Sequence, residues 1–156
     1  MSEFQEDKER YLVYRIDNEL YASPLLDFKE VIEYIKPKIV PNMPEYFSGM
    51  INLRGLIIGV IDVRKKIGIS SEFHQNPSLL ICETDSGPMG AIIDKVESVI
   101  HISPKEVQDL KVEGKIDLAF LKGFYQHQDK LISIIDIKKF VSKIEKNNQN
   151  SQEKAA

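Results

Sequence analysis

YFSGMINLRGLIIGVIDVRK, residues 46–65, and FLKGFYQHQDKLISIIDIKK, residues 120–139, fall over one another when the chain is slid 74 positions along itself. Gly49 meets Gly123, Ile58 meets Ile132, Ile61 meets Ile135, Asp62 meets Asp136 and Lys65 meets Lys139, with conservative pairs such as Tyr46 with Phe120 and Val60 with Ile134. A slide of 68 does the same more weakly upstream, setting Leu12 on Leu80, Val31 on Val99 and Ile32 on Ile100. A glycine and an aspartate that keep their separation inside a shared apolar phase mark a duplicated unit. Each copy has room for about five short strands, too few to make a deep core alone, so the two are expected to pack together with a groove between them.

Working outward, residues 11–16 place Leu12, Tyr14 and Ile16 on one face, and Asp17 and Asn18 turn the chain into residues 19–22, a hairpin pattern. Ser23 before Pro24 reads as a helix cap, and Leu25, Phe28 and Val31 or Ile32 recur at helical spacing, predicting one or two helical turns. A second helical start is read at 42–44, ending near Gly49. Residues 50–53 and 56–61 are strands about Arg54 and Gly55; Asp62 caps a turn over 63–67 that Gly68 stops. Residues 78–84 pair with a long extended run over 89–102, Ser103 and Glu106 have capping-box spacing, and strands follow near 118–125 and 130–135. Asp136 then caps a helix over 137–146.

Length and charge narrow the classes of function. The 156 residues suit one domain, and 42% hydrophobic with a net charge of −3 is neither disordered nor strongly basic. Sequence-blind binding to nucleic acid or an anionic membrane needs clustered positive charge, which this balance disfavours. One cysteine, Cys82, allows neither an internal disulfide nor a cysteine zinc site, and it stands in an apolar strand as a small core residue. His74, His101 and His127 are 27 and 26 residues apart, not at metal-ligand spacing, so no metal and no cofactor is expected. No nucleophile elbow, phosphate-binding loop or dinucleotide fingerprint occurs, and an enzyme is not expected. The N-terminus lacks a signal peptide's apolar stretch and no run is long enough to span a membrane, which reads as cytosolic. Residues 1–10 and 147–156 are polar and expected to be flexible; a domain over 11–146 is expected to divide near 69–77.

Several features have plain structural readings. Asp62 and Asp136 suit helix caps better than paired catalytic acids. The runs Arg64 to Lys66 and Lys138 to Lys139 suit solvated helix faces.

The order of residues 19–22, Glu30, 41–44, GMINLRGLIIGVIDVRKKIG at 49–68, MGAIIDKVESV at 89–99 and LKGFYQHQDKLISIIDIKKF at 121–140 resembles the CheW-like domain family. Asn52, Leu53, Arg54 and Gly55, with Asp62 seven residues beyond the glycine, form its most specific element. The resemblance implies a mostly β fold of two SH3-like five-stranded β-barrel subdomains with short helical turns and a C-terminal α-helix. It further implies a cytoplasmic signalling adaptor, peripheral to membrane receptor arrays, that couples the cytoplasmic tip of chemoreceptors to the regulatory domain of the histidine kinase CheA. On that resemblance Leu25, Phe28, Glu30, Val31, Asn52 and Arg54 fall at a receptor-binding groove, with Arg54 partly buried and paired to Glu30. Asp94, Val96 and Val99 fall at a kinase-binding surface, while Gly49, Gly55, Asp62, Gly90, Gly123 and Asp136 hold the fold. One departure is Gly59, where the family commonly has proline. The rival reading is a small barrel that binds single-stranded nucleic acid, which needs aromatic platforms in a positive groove; aromatic residues are only 8% here and the net charge is negative.

Overall fold

Alternating side chains on either side of Asp17 and Asn18 give an antiparallel pair, β1 (Glu9–Ile16) and β2 (Glu19–Pro24), in register from Tyr11 opposite Pro24 to Ile16 opposite Glu19. The computed structural model describes residues 9–69, 76–109 and 119–144. Expectations for residues 1–8, His74, Leu118 and everything from 145 onward lie outside these. Downstream follow β3 (Phe28–Glu33), β4 (Phe47–Leu53), β5 (Leu56–Asp62), α1 (Val63–Lys66), β6 (Ser78–Thr84), β7 (Gly87–Ile93), β8 (Lys95–Ile102), β9 (Leu121–His127), β10 (Lys130–Ile135) and α2 (Ile137–Ser142). No helix among the described residues is long and apolar enough to cross a membrane.

Three sequence expectations are corrected. The helical turns read after Ser23 shrink to a 3-10 turn at Leu25–Asp27, and residues 28–33 form a strand whose burial alternates with period two. Ser23 is no cap: it is buried in β2, where its Oγ donates to the Ile135 carbonyl at 2.8 Å and meets the Tyr14 hydroxyl at 2.9 Å. Its single proton being engaged, the Tyr14 hydroxyl is the donor of the second bond. The helical start at 42–44 is a pair of turns leading into β4. The extended run over 89–102 is two strands that part at Asp94 into different sheets.

The duplication is visible strand by strand. Shifted by 74, β4 lands on β9, β5 on β10 and α1 on α2; shifted by 68, β1, β2 and β3 land on β6, β7 and β8. Gly49 and Gly123 both have positive φ, +136° and +153°, and a Cβ at Gly49 would stand 2.1 Å from the Lys38 carbonyl oxygen. Only glycine fits such an approach. Asp62 and Asp136 accept from the backbone N–H of Lys65 and Lys139 at 3.3 and 3.1 Å, capping the two helices.

The sheets are not the two copies. One runs β8-β1-β2-β10-β9 and the other β3-β6-β7-β5-β4, so each copy contributes its first hairpin to the sheet built on the other copy's remaining strands. Two parallel pairings seal the exchange, β2 with β10 and β7 with β5. A boundary near 69–77 therefore does not separate the sheets, because β5 before it and β6 and β7 after it share one; the chain crosses between sheets at Leu25–Asp27 and again at Asp94. Two five-stranded SH3-like units are thus present, each an open strand order and not a ring closed by backbone hydrogen bonds among the described residues.

This crossing also explains the double-sided apolar strands. On β1, Leu12, Tyr14 and Ile16 enter a central core between the sheets, whereas Val13 enters the core of its own sheet with Leu20, Ala22, Ile102, Ile132 and Ile134. On β6, Leu80 and Cys82 face the centre and Leu79 and Ile81 the second sheet's own core. A strand buried on both faces loses its polar alternation. Burial pushes the Cys82 thiol pKa well up, as suits a packing residue.

Candidate functional site

Leu53 and Leu56 close the ladder between β4 and β5, leaving Arg54 and Gly55 as a two-residue turn with φ of +51° and +86°. Positive φ at both positions is the geometry that matches strand twist in a tight hairpin. Asn52 fixes it, its Oδ1 accepting from the Gly55 backbone N–H at 2.8 Å. The turn swings Arg54 towards β3, where its guanidinium is ion-paired with the Glu30 carboxylate. β3 and β4 are the two edges of their sheet, so this pair spans its mouth and shows how far the sheet has curled. Beneath it is a cavity of about 220 Å³ lined by Leu53, Leu56, Ile58, Ile81 and Pro88 with the pair and Lys29 at the rim. Pairing is as the resemblance implies; burial is not, since the Arg54 side chain is 68% exposed against 26% for Glu30. A turn tip cannot bury a guanidinium that has nothing above it.

The other expected groove residues divide. Leu25 and Phe28 pack against the central core, Phe28 edge-on to Tyr14 with ring centroids 6.2 Å apart. Val31 is nearly half exposed on β3, and Leu56 and Ile57 are exposed at the β4–β5 hairpin. The surface around the pair therefore offers apolar area, one ion pair and no thiol, imidazole or hydroxyl in the cavity lining. It can hold an apolar side chain beside a polar one.

Asp94, Val96 and Val99 do not form one patch. Asp94 sits in the β7–β8 crossing, its Oδ2 accepting from Arg64 Nη1 at 2.6 Å and from the Asp17 backbone N–H at 3.0 Å. Val96 packs against the central core and Val99 is exposed on β8. The basic run at 64–66 is not the solvated face expected: Arg64 is 1% exposed, and Lys66 donates to the carbonyls of Phe140 and Lys143 over the rings of Tyr46, Phe120 and Phe140. A charge run looks alike in sequence whether or not carboxylates and carbonyls await it; the sole hint was an acidic residue at each distant crossing or turn. Gly90 is buried against Val60, and Gly59 lies in regular β5, where a Cβ would press on Met89 and Phe47. His101 and His127 stand on opposite edge strands of one sheet, and among the described residues no cluster of His, Cys, Asp or Glu is placed to hold a metal.

A family model described as the CheW-like domain matches residues 10–145. Chemotaxis protein CheW of Thermotoga maritima is 29% identical over 133 residues, 85% of this chain and 87% of that protein. Its namesake from Bacillus subtilis is 27% identical over 131 residues, 82% and 83% of the two chains. Among solved structures, scaffolding protein TtCheW from Thermoanaerobacter tengcongensis superposes with a TM-score of 0.77 at 33% identity, covering 83% of this chain and 84% of that one. A match that runs through both copies of the duplicated unit, with the same fold in a solved relative, places the chain in the CheW-like domain family.

Proposed function

We propose that the chain is a non-enzymatic signalling adaptor that couples the cytoplasmic hairpin tip of chemoreceptors to the regulatory domain of a CheA-type histidine kinase, in arrays beneath the membrane. The names of the similar proteins, chemotaxis protein and scaffolding protein, support the class. The observation that carries the reading is the exposed Arg54, tied to Glu30 over an apolar hollow lined by Leu53, Leu56 and Ile58, with Val31 and Ile57 also exposed on the neighbouring strands. A packed surface that presents an arginine beside apolar area suits protein recognition, where such anchors concentrate binding energy. In this reading Val31, Glu30 and Arg54 meet the receptor, Asn52 holds the turn, and Leu25 and Phe28 support it from the core side. Val99 offers a contact to the kinase, with Asp94 and Val96 holding the strand that presents it. Each contact is weak alone and strengthened by the geometry of an array.

The test is retention of the full chain on immobilised receptor hairpin and on CheA regulatory domain at about 150 mM salt. Binding to both, and to a single-stranded oligonucleotide no more than to bare resin, is the expected result. Retention on the oligonucleotide with neither protein bound overturns the proposal in favour of a nucleic-acid module.

A further inference from the structure

We infer that the two sheets are locked at one of their crossings and unlocked at the equivalent one, so that their relative motion pivots on Arg64 and opens the side bearing Asp27 and Lys138. The inference rests on the internal duplication and stands whether or not the receptor reading holds.

At the first site Arg64, from α1, reaches the β7–β8 crossing and the β1–β2 turn together: its Nη1 is 2.6 Å from Asp94 Oδ2 and its Nη2 4.0 Å from Asp17 Oδ1. Asp94 also accepts from the Asp17 backbone N–H, and its own N–H donates to the Arg15 carbonyl at 3.1 Å. One buried guanidinium thus joins an element of each sheet to the strand passing between them. The same three positions recur on the other side of the molecule. Shifted by 74, Arg64 becomes Lys138; shifted by 68, Asp17 becomes Asp85; and Asp94 falls on Leu26 in the opposite crossing. Lys138 lacks the planar fork that holds two carboxylates at once. Leu26 offers no carboxylate and is 89% exposed.

In place of a lock there is an open hollow of about 440 Å³, lined among others by Asp27, Thr84, Asp85, Lys122, Lys138 and Ser142. No ion pair within 4.0 Å joins its charged residues, whereas all those among the described residues lie elsewhere. Partial burial raises the Asp27 carboxyl against the opposing pull of Lys138 and Lys122, the mark of a group neither well solvated nor paired. α2 still packs Ile137, Phe140 and Val141 into the central core beside this hollow, so the difference between the two seams is the ion-paired guanidinium that only the first one has, and two packed layers held more firmly at one end hinge there.

Amide hydrogen exchange on the full chain tests this. Residues 25–28, 84–86 and 138–142 are expected to exchange about tenfold faster than residues 15–18, 64–67 and 94–96, as locally open regions do. Rebuilding the lock with Leu26→Asp and Lys138→Arg, which removes nothing buried, is expected to slow the first set to the rate of the second and leave the second unchanged. Arg64→Lys is expected to speed the second set alone. Equal protection on both sides of the wild-type chain, or a rebuilt lock that leaves the first set as fast as before, overturns the inference.

Discussion

Arg54 and Arg64 stand ten positions apart and carry the same charge, yet their surroundings assign them opposite tasks. Arg54 is exposed, so its pair with Glu30 contributes about 0–1 kcal/mol. Arg54→Ala is accordingly expected to leave the melting temperature within a few degrees of wild type while weakening kinase coupling strongly. A melting curve and kinase activity measured on the same preparation check this, and undiminished coupling contradicts it. Neither burial was legible in the sequence, because a turn arginine and a helix arginine differ only in what distant segments bring to them. The pairing of Arg54 with Glu30 was readable, from family resemblance and not from spacing. At a third arginine, Arg15 donates to Glu97 at 2.8 Å and holds that carboxyl below its ordinary pKa. A lowered folded-state pKa adds stability above the unfolded value of about 4.3 and loses it as pH falls through the folded one. Arg15→Gln is expected to remove that dependence, so that denaturation midpoints measured on the acid side of about pH 5 fall less steeply than in wild type. Asp62 has the opposite sign, its carboxyl being raised by burial, and is untouched by that change.

Short elements here depend on their ends more than on their propensity. α1 has four residues and α2 six, lengths that no helix sustains alone. Each is held by the aspartate before it and by the apolar side chains it buries, Val63 in one and Ile137, Phe140 and Val141 in the other. Asp62→Ala is expected to cost about 1 kcal/mol and Asp62→Asn much less, because asparagine keeps the acceptor without bringing a charge into a desolvated site. Urea unfolding of the two variants separates these outcomes. Both caps were legible, since an aspartate between an apolar run and a basic segment is a local signal. β3 was not: Leu25, Phe28 and Val31 share helical spacing, but Phe28, Glu30 and Ile32 alternate with exposed neighbours once β6 supplies a ladder. A six-residue strand is decided by its partner, and that partner is about fifty residues away.

For the molecule as a whole, duplication was written in the sequence and the exchange of hairpins was not. A repeat leaves a fixed offset between similar residues; which copy a hairpin joins leaves no local trace, because both sheets offer it the same edge. The exchange makes each sheet depend on both halves of the chain. Fragments 1–70 and 76–156 are expected to be unfolded separately by circular dichroism and to regain strand signal when mixed. A folded fragment would show that one copy suffices. Four of the eight ladders among the described residues join strands distant in sequence, so folding of the intact chain is expected to be slow for its size.

Because a hairpin finds an equally good berth on a neighbouring molecule, the handclasp that unites one chain also permits entanglement between several. Crowded refolding then competes with self-recognition: monomer recovered after dilution from denaturant is expected to drop as protein concentration rises, with interlinked oligomers taking its place. Size-exclusion profiles across a dilution series read that competition directly, and a yield indifferent to concentration would mean that each chain closes on itself before it can meet another.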